Sequence, residues 1–433
     1  MGAFISFGRY NKLYKYIWIV VIIKTFIDYL FTPVFPEIMK PEIFYSNNYP
    51  NGLLIHGFFI YLGTFLFSII LYTYEKKNKQ EEKKGIISDI SLDNSSQFLK
   101  LIHYDIQKNV KNKSIIITSV LSIISFELLN IIMNLGLDGL VYWVFDLLFI
   151  AYLNLIMFKI PIFAHKKCAI VFILIFATLF KLLATFEILY RDKYETIYKN
   201  HFIFIPIITI IYLVLSLMRF YSLCKIKWLL DYKYVSLSKF LIIYSLIGVF
   251  ILLISSFISN FIKCSDPSKF NDINLICQIQ IKEGDNIYYY FDNIFYFFSQ
   301  LWRKDKSIGM NILYLILFII RLILNAIRLL YSILIIKNLS PEYYQCTFQI
   351  YYFFILLIVL IKSIINGEDS LLPLYNILAE ISSLIGIMIY LELIELKFFD
   401  LNYNLRKNIE IRGLDEYNFN NLFNENDTEI MED

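Results

Sequence analysis

Ten stretches of mainly apolar residues, each about as long as a bilayer crossing requires, succeed one another along the chain. They lie near 14–34, 52–73, 114–136, 138–160, 168–190, 201–223, 238–262, 309–336, 343–365 and 373–396. A helical crossing takes about 20 such residues, since hydrocarbon offers no water to satisfy an open backbone. The pattern leaves one fold class: an all-α polytopic membrane protein with ten transmembrane helices. With 433 residues and a mean hydropathy of +0.59, so much Ile, Leu, Phe and Tyr does not fit inside a soluble core. The bias toward Ile, Asn, Lys, Tyr and Phe is also what an AT-rich genome writes, so the aromatic content carries no functional reading.

Positive charge alternates with the connections. Those after spans two, four, six and eight hold Lys76, Lys77, Lys79, Lys83, Lys84, Lys159, Lys166, Lys167, Lys225, Lys227, Lys233 and Lys337, and the ends add Arg9, Lys12, Arg406, Lys407 and Arg412. The opposite connections at 135–139 and 366–373 carry no Lys or Arg. Because cytoplasmic loops collect Lys and Arg, both termini are expected in the cytoplasm of an integral membrane protein, in an endomembrane (Golgi, ER or vacuole-like) or the plasma membrane. The net charge of +3 forms no nucleic-acid-binding groove. The bilayer and a small-molecule substrate are the expected partners, and a homodimer is left open.

The first apolar stretch carries Lys24 and Asp28 and lacks a small-x-small cleavage site, so it is read as a retained span rather than a signal peptide. Gly2 opens a myristoylation-like pattern, Met1-Gly2-Ala3-Phe4-Ile5-Ser6, of a kind that also arises by chance. Residues 74–113 read as a solvated cytosolic linker, and 397–433 as a cytosolic, largely disordered tail. Cys264 and Cys277 share the long non-cytoplasmic connection after span seven, where a disulfide between them is open. No cysteine or histidine set has metal-ligand spacing, and no cofactor is expected. In the same connection residues 286–298, rich in Tyr and Phe, read as a short interfacial helix between spans seven and eight.

Ionisable residues within spans carry the functional signal, since a charge in hydrocarbon is costly unless it meets a partner or water. In span eight Arg321, Asn325 and Arg328 are spaced i, i+4, i+7, which places two guanidiniums and an amide on one helical face. Such a stripe suits a phosphate or carboxylate. The alternative is that carboxylates on neighbouring helices neutralise it. Lys24 and Asp28, at i, i+4, are able to satisfy each other. Glu127, Asp146, Lys181, Glu187 and Glu380 complete the set, with Asp146 and Glu380 open as ion-pair or proton-coupling groups and Arg219 placed to snorkel. His56 is read as a packing residue. No catalytic signature or nucleotide-hydrolysing motif is present, so an enzyme is not expected.

Three local patterns carry a resemblance: Lys227-Trp228-Leu229-Leu230-Asp231-Tyr232 leading to Tyr244-Ser245-Leu246-Ile247-Gly248; Asn325 through Asn338-Leu339-Ser340-Pro341; and Ile385-Gly386-Ile387-Met388-Ile389-Tyr390-Leu391-Glu392. In this order the chain resembles the ten-helix drug/metabolite transporter superfamily, particularly its nucleotide-sugar-transporter-like solute carriers, mainly over 219–396. Ser245 stands where that family usually has glycine. The resemblance implies two inverted five-helix repeats, 1–190 and 201–396, around a cavity that works by alternating access. It makes Arg321, Asn325, Arg328, Lys24 and Glu127 the expected substrate-binding residues. The expected function is secondary transport or exchange of a small polar or anionic solute. The alternative is a non-transporting multi-pass scaffold or assembly subunit, with a lipid-modifying enzyme that uses His56 as a third option.

Overall fold

The computed structural model describes residues 5–7, 15–26, 53–88, 112–134, 145–190, 204–264, 279–283, 286–290, 294–295, 307–367, 370–397, 401, 403 and 405. These are almost entirely helical. The helices are α1 (Lys15–Thr25), α2 (Leu53–Ser88), α3 (Asn112–Asn134), α4 (Asp146–Phe158), α5, α6, α7 (Leu237–Ser259), α8 (Ile308–Asn338), α9 (Pro341–Ile365) and α10 (Leu371–Tyr390). Within this series α5 runs as Ala164–Phe172, a π turn at Ile173–Ala177, and Thr178–Tyr190, while α6 runs as Phe204–Lys227 and ends in a π turn at Trp228–Tyr232.

Eight of these helices are long and apolar enough to cross a membrane. Of the ten expected crossings, α1 and α4 are the short ones. The 13 residues of α4 rise only about 20 Å, against a hydrocarbon core of about 30 Å. The expected linker is corrected at its start, because α2 continues unbroken to Ser88 through Glu, Lys and Gln, all good helix formers. The interfacial helix is also corrected. Asn286–Tyr290 is a strand, β4, at the centre of an antiparallel sheet with β2 (Lys263–Cys264) and β3 (Ile279–Glu283). Aromatic and β-branched residues favour the pleated state, and Ile279, Ile281 and Lys282 lie opposite Tyr290, Tyr288 and Ile287. Gly2, Asp28, Cys277, residues 89–111 of the linker and residues 406–433 lie outside the described residues, while Asn112 and Lys113 already belong to α3. The start of the expected tail does pack: Leu405 is buried and Leu401 lies against a hydrophobic cluster.

Contacts divide the chain into two units. The first comprises residues 1–14, 140–188 and 342–433 and contains α4, α5, α9 and α10. Its core brings Leu147 and Ala151 of α4, Ala169, Ile173 and Ala177 of α5, and Ile387 and Tyr390 of α10 together. Ile173 occupies the space that a side chain at Gly386 would need, so α5 and α10 approach closely there. Two short strands, β1 (Ile5–Phe7) and β5 (Ile394–Leu396), pair antiparallel with Ser6 opposite Glu395.

The second unit comprises residues 15–139 and 189–341 and contains α1, α2, α3, α6, α7 and α8. Within it α2 packs along α7 and α8, α3 along α6 and α7, and α1 along α8. Apolar helices gain little from one another in lipid, so close approach by small residues has to supply the attraction. A Cβ on Gly63 would lie 2.7 Å from the Leu322 carbonyl oxygen, and one on Gly248 would overlap the Tyr61 ring. Serine and threonine fill the remaining close positions. Thr64, Ser119 and Ser245 return their hydroxyls to the carbonyls of Ile60, Ile115 and Leu241, so each is buried without an orphaned donor. At the centre Tyr244 meets the Ser122 hydroxyl at 3.2 Å and the Tyr61 ring at 5.7 Å.

Candidate functional site

The site is built on α8, whose N-terminus is capped where the Met310 amide donates to the Ser307 hydroxyl at 3.3 Å. From that start the helix runs 31 residues without a break. This continuity keeps Arg321, Asn325 and Arg328 in the i, i+4, i+7 relation that the sequence implied. Arg321 and Asn325 are buried and Arg328 is half-buried. In the same unit Glu127 of α3 is buried, accepts a hydrogen bond from the Asn130 amide one turn along, and lies in the field of Arg328. Its Oε1 is 3.0 Å from the position a Cβ on Gly57 would take, so glycine on α2 leaves room for the carboxylate.

Lys24 is half-buried on α1, the helix packed along α8. Asp28, its expected partner, lies outside the described residues. The structure thus brings Glu127 to Arg328 and sets Asn325 and Arg321 one and two turns back along the same helix.

Arg219 is the residue that sequence reasoning passed over. Its guanidinium is 5.4 Å from the ring of Phe126, the neighbour of Glu127 in sequence, and 5.6 Å from the Phe220 ring. Arginine is favourable over an aromatic face, and a position two turns inside the end of α6 at Lys227 was the available signal.

The remaining ionisable residues fall in the other unit. The Lys181 ammonium donates to the Asn376 carbonyl oxygen at 2.7 Å and lies in the field of Glu380, which joins α5 to α10. Asp146 accepts from the Gln345 amide at 3.0 Å, and the Asn154 amide donates to Glu342. His165 is buried, stacks on Phe163 and places Nε2 3.3 Å from the Glu392 carboxylate. Among the described residues Cys168, Cys224 and Cys346 are free thiols, and no three His, Cys, Asp or Glu side chains gather as a metal site. Compared with known proteins, the chain matches no family model and no curated protein.

Proposed function

We propose that the protein is a secondary transporter of a small anionic solute, with Arg321, Asn325 and Arg328 as the anion-facing stripe and Lys24 and Glu127 beside it. The observation that carries this reading is the face of α8 on which Arg321 and Asn325 are buried and Arg328 is half-buried, with the buried Glu127 carboxylate of α3 in the field of Arg328. Guanidiniums in a low-dielectric interior favour an anion, and two on one helical face grip phosphate or carboxylate with a planar fork.

The packing pairs support the ten-helix, two-repeat reading and the resemblance to the drug/metabolite transporter superfamily. α2 lies along α7, α5 along α10, and α4 is hydrogen-bonded to α9. The pair α3 and α6 has its counterpart in α8 and α1, and the pair α2 and α8 in α7 and α3. Exchanging every helix for the one five places along maps this set onto itself, which is what interlocked repeats of five helices produce. The pairing of β1 with β5 supports both chain ends lying on one face, since paired strands sit on the same side of a bilayer.

The test is uptake by purified protein in vesicles, offered a panel of phosphorylated and carboxylated solutes. Wild type accumulates at least one. Arg321→Glu, which turns attraction into repulsion, lowers that uptake by about 10–100-fold, the size of a lost charge-assisted hydrogen bond or more. A wild-type protein that moves none of the panel, but loses a bound protein partner on the same substitution, would make it a scaffold.

A further inference from the structure

Polar groups gather a second time in the first unit, where α4 meets α9. The amide N–H groups there are already committed to carboxylates: Gln345 donates to Asp146 at 3.0 Å, and Asn154 donates to Glu342. What remains on the α9 side are acceptors. Glu342 Oε2, Gln345 Oε1 and Gln349 Oε1 are all buried and have no hydrogen-bond partner among the described residues. Their residues are 6%, 3% and 3% exposed.

Positions 342, 345 and 349 are spaced i, i+3, i+7, so the three oxygens share one face of α9. Two of them belong to the cluster by covalent geometry. The Gln345 oxygen is on the amide whose nitrogen touches Asp146, and Glu342 Oε2 is on the carboxylate that Asn154 touches.

Buried acceptors without donors are expensive, and each buried carboxylate along the α4–α9 contact adds its own desolvation cost. A proton on Glu342 supplies one donor and leaves the other oxygens unmet. A hard cation accepts several oxygen lone pairs at once and offsets carboxylate charge as it does so. We propose that α4 and α9 hold a hard-cation site, with Glu342, Gln345 and Asp146 as oxygen ligands and Gln349 one turn further along. Carboxylates and amide carbonyls, with neither thiolate nor imidazole, select Na⁺ or Ca²⁺ over zinc or copper. Lys181 and Glu380, in the same unit, do not compete for this role, because that carboxylate already faces an ammonium. A coupling-ion role for the site rests on the transport reading above; cation binding itself does not.

The experiment uses the full chain, purified in detergent in sodium-free and calcium-free buffer. Thermal unfolding is followed while NaCl, CaCl₂ or MgCl₂ is added, with choline chloride as the ionic-strength control. The expected result is a saturable rise in Tm with Na⁺ or Ca²⁺ that choline does not reproduce. Glu342→Gln and Gln345→Leu weaken the apparent affinity by about tenfold or more, the loss of one good ligand. Gln349→Leu serves where either of these fails to fold. A Tm that responds no more to these cations than to choline overturns the proposal. So does an equal response in wild type and all three variants, or a response to pH alone. In matched vesicles, a cation response without uptake keeps the site and removes its coupling role, whereas uptake without a cation response removes the site and leaves transport standing.

Discussion

Lys181 shows what a charge at bilayer depth asks of its neighbours. Its ammonium reaches Asn376 at 2.7 Å and faces Glu380, both on α10. Replacing it by methionine leaves the Glu380 carboxylate buried without a counter-charge, so Lys181→Met lowers stability by about 3–5 kcal/mol. Adding Glu380→Leu recovers most of that loss, because a well-packed apolar pair removes both desolvation costs. Denaturant unfolding of the two variants in detergent checks both expectations. At this scale the residue types and their helical spacing were legible in the sequence. Arg321, Asn325 and Arg328 fall on one face for no reason beyond the helical repeat of 3.6. The pairings were not legible, since Glu127 with Arg328 and Lys181 with Glu380 join residues about 200 positions apart, and one sequence holds no record of who meets whom.

Among the elements, hydrophobic length placed the eight helices long enough to cross a membrane, because twenty apolar residues in a row have few other fates, while α1 and α4 are shorter than the expected spans. Sequence reasoning failed where periodicity is weak. The Tyr-rich segment at 286–290 was read by its affinity for the headgroup zone, while its pairing partners, β2 and β3, decide that it is a strand. The continuation of α2 to Ser88 was missed for the opposite reason: high charge suggested a linker, although Lys, Glu and Gln are good helix formers. Glycines on α2 and α8 differ in what they do. Gly63 faces the backbone of Leu322, so Gly63→Val forces α2 and α8 apart at a cost of about 1–3 kcal/mol. Gly309 has nothing within 4 Å, and Gly309→Ala is neutral or raises stability by up to about 1 kcal/mol. The unfolding midpoints of these two variants test the contrast.

For the whole molecule, contact follows a rule that sequence order hides. Neither unit is a half of the chain; one takes α1 to α3 with α6 to α8, and the other takes α4 and α5 with α9 and α10. The same strand pairing that sets Ser6 opposite Glu395 predicts that Ser6→Cys and Glu395→Cys form a disulfide on mild oxidation, detectable as a mobility change reversed by reductant. Absence of that cross-link, with both thiols reactive to a small label, removes the case for two chain ends on one face. The alternation of lysine with connection number was readable from sequence because the positive-inside bias is written locally.

The exchange of partners across the chain also sets an order of assembly. Lys181 leaves the ribosome 195 residues ahead of Asn376, its bonded partner, so the growing chain carries that ammonium without its α10 partners while four further apolar helices are made. Until α10 emerges, that lysine depends on the insertion machinery or on water at the membrane face. Closure of the first unit therefore waits for α10, and a chain cut short before α10 is a substrate for quality control.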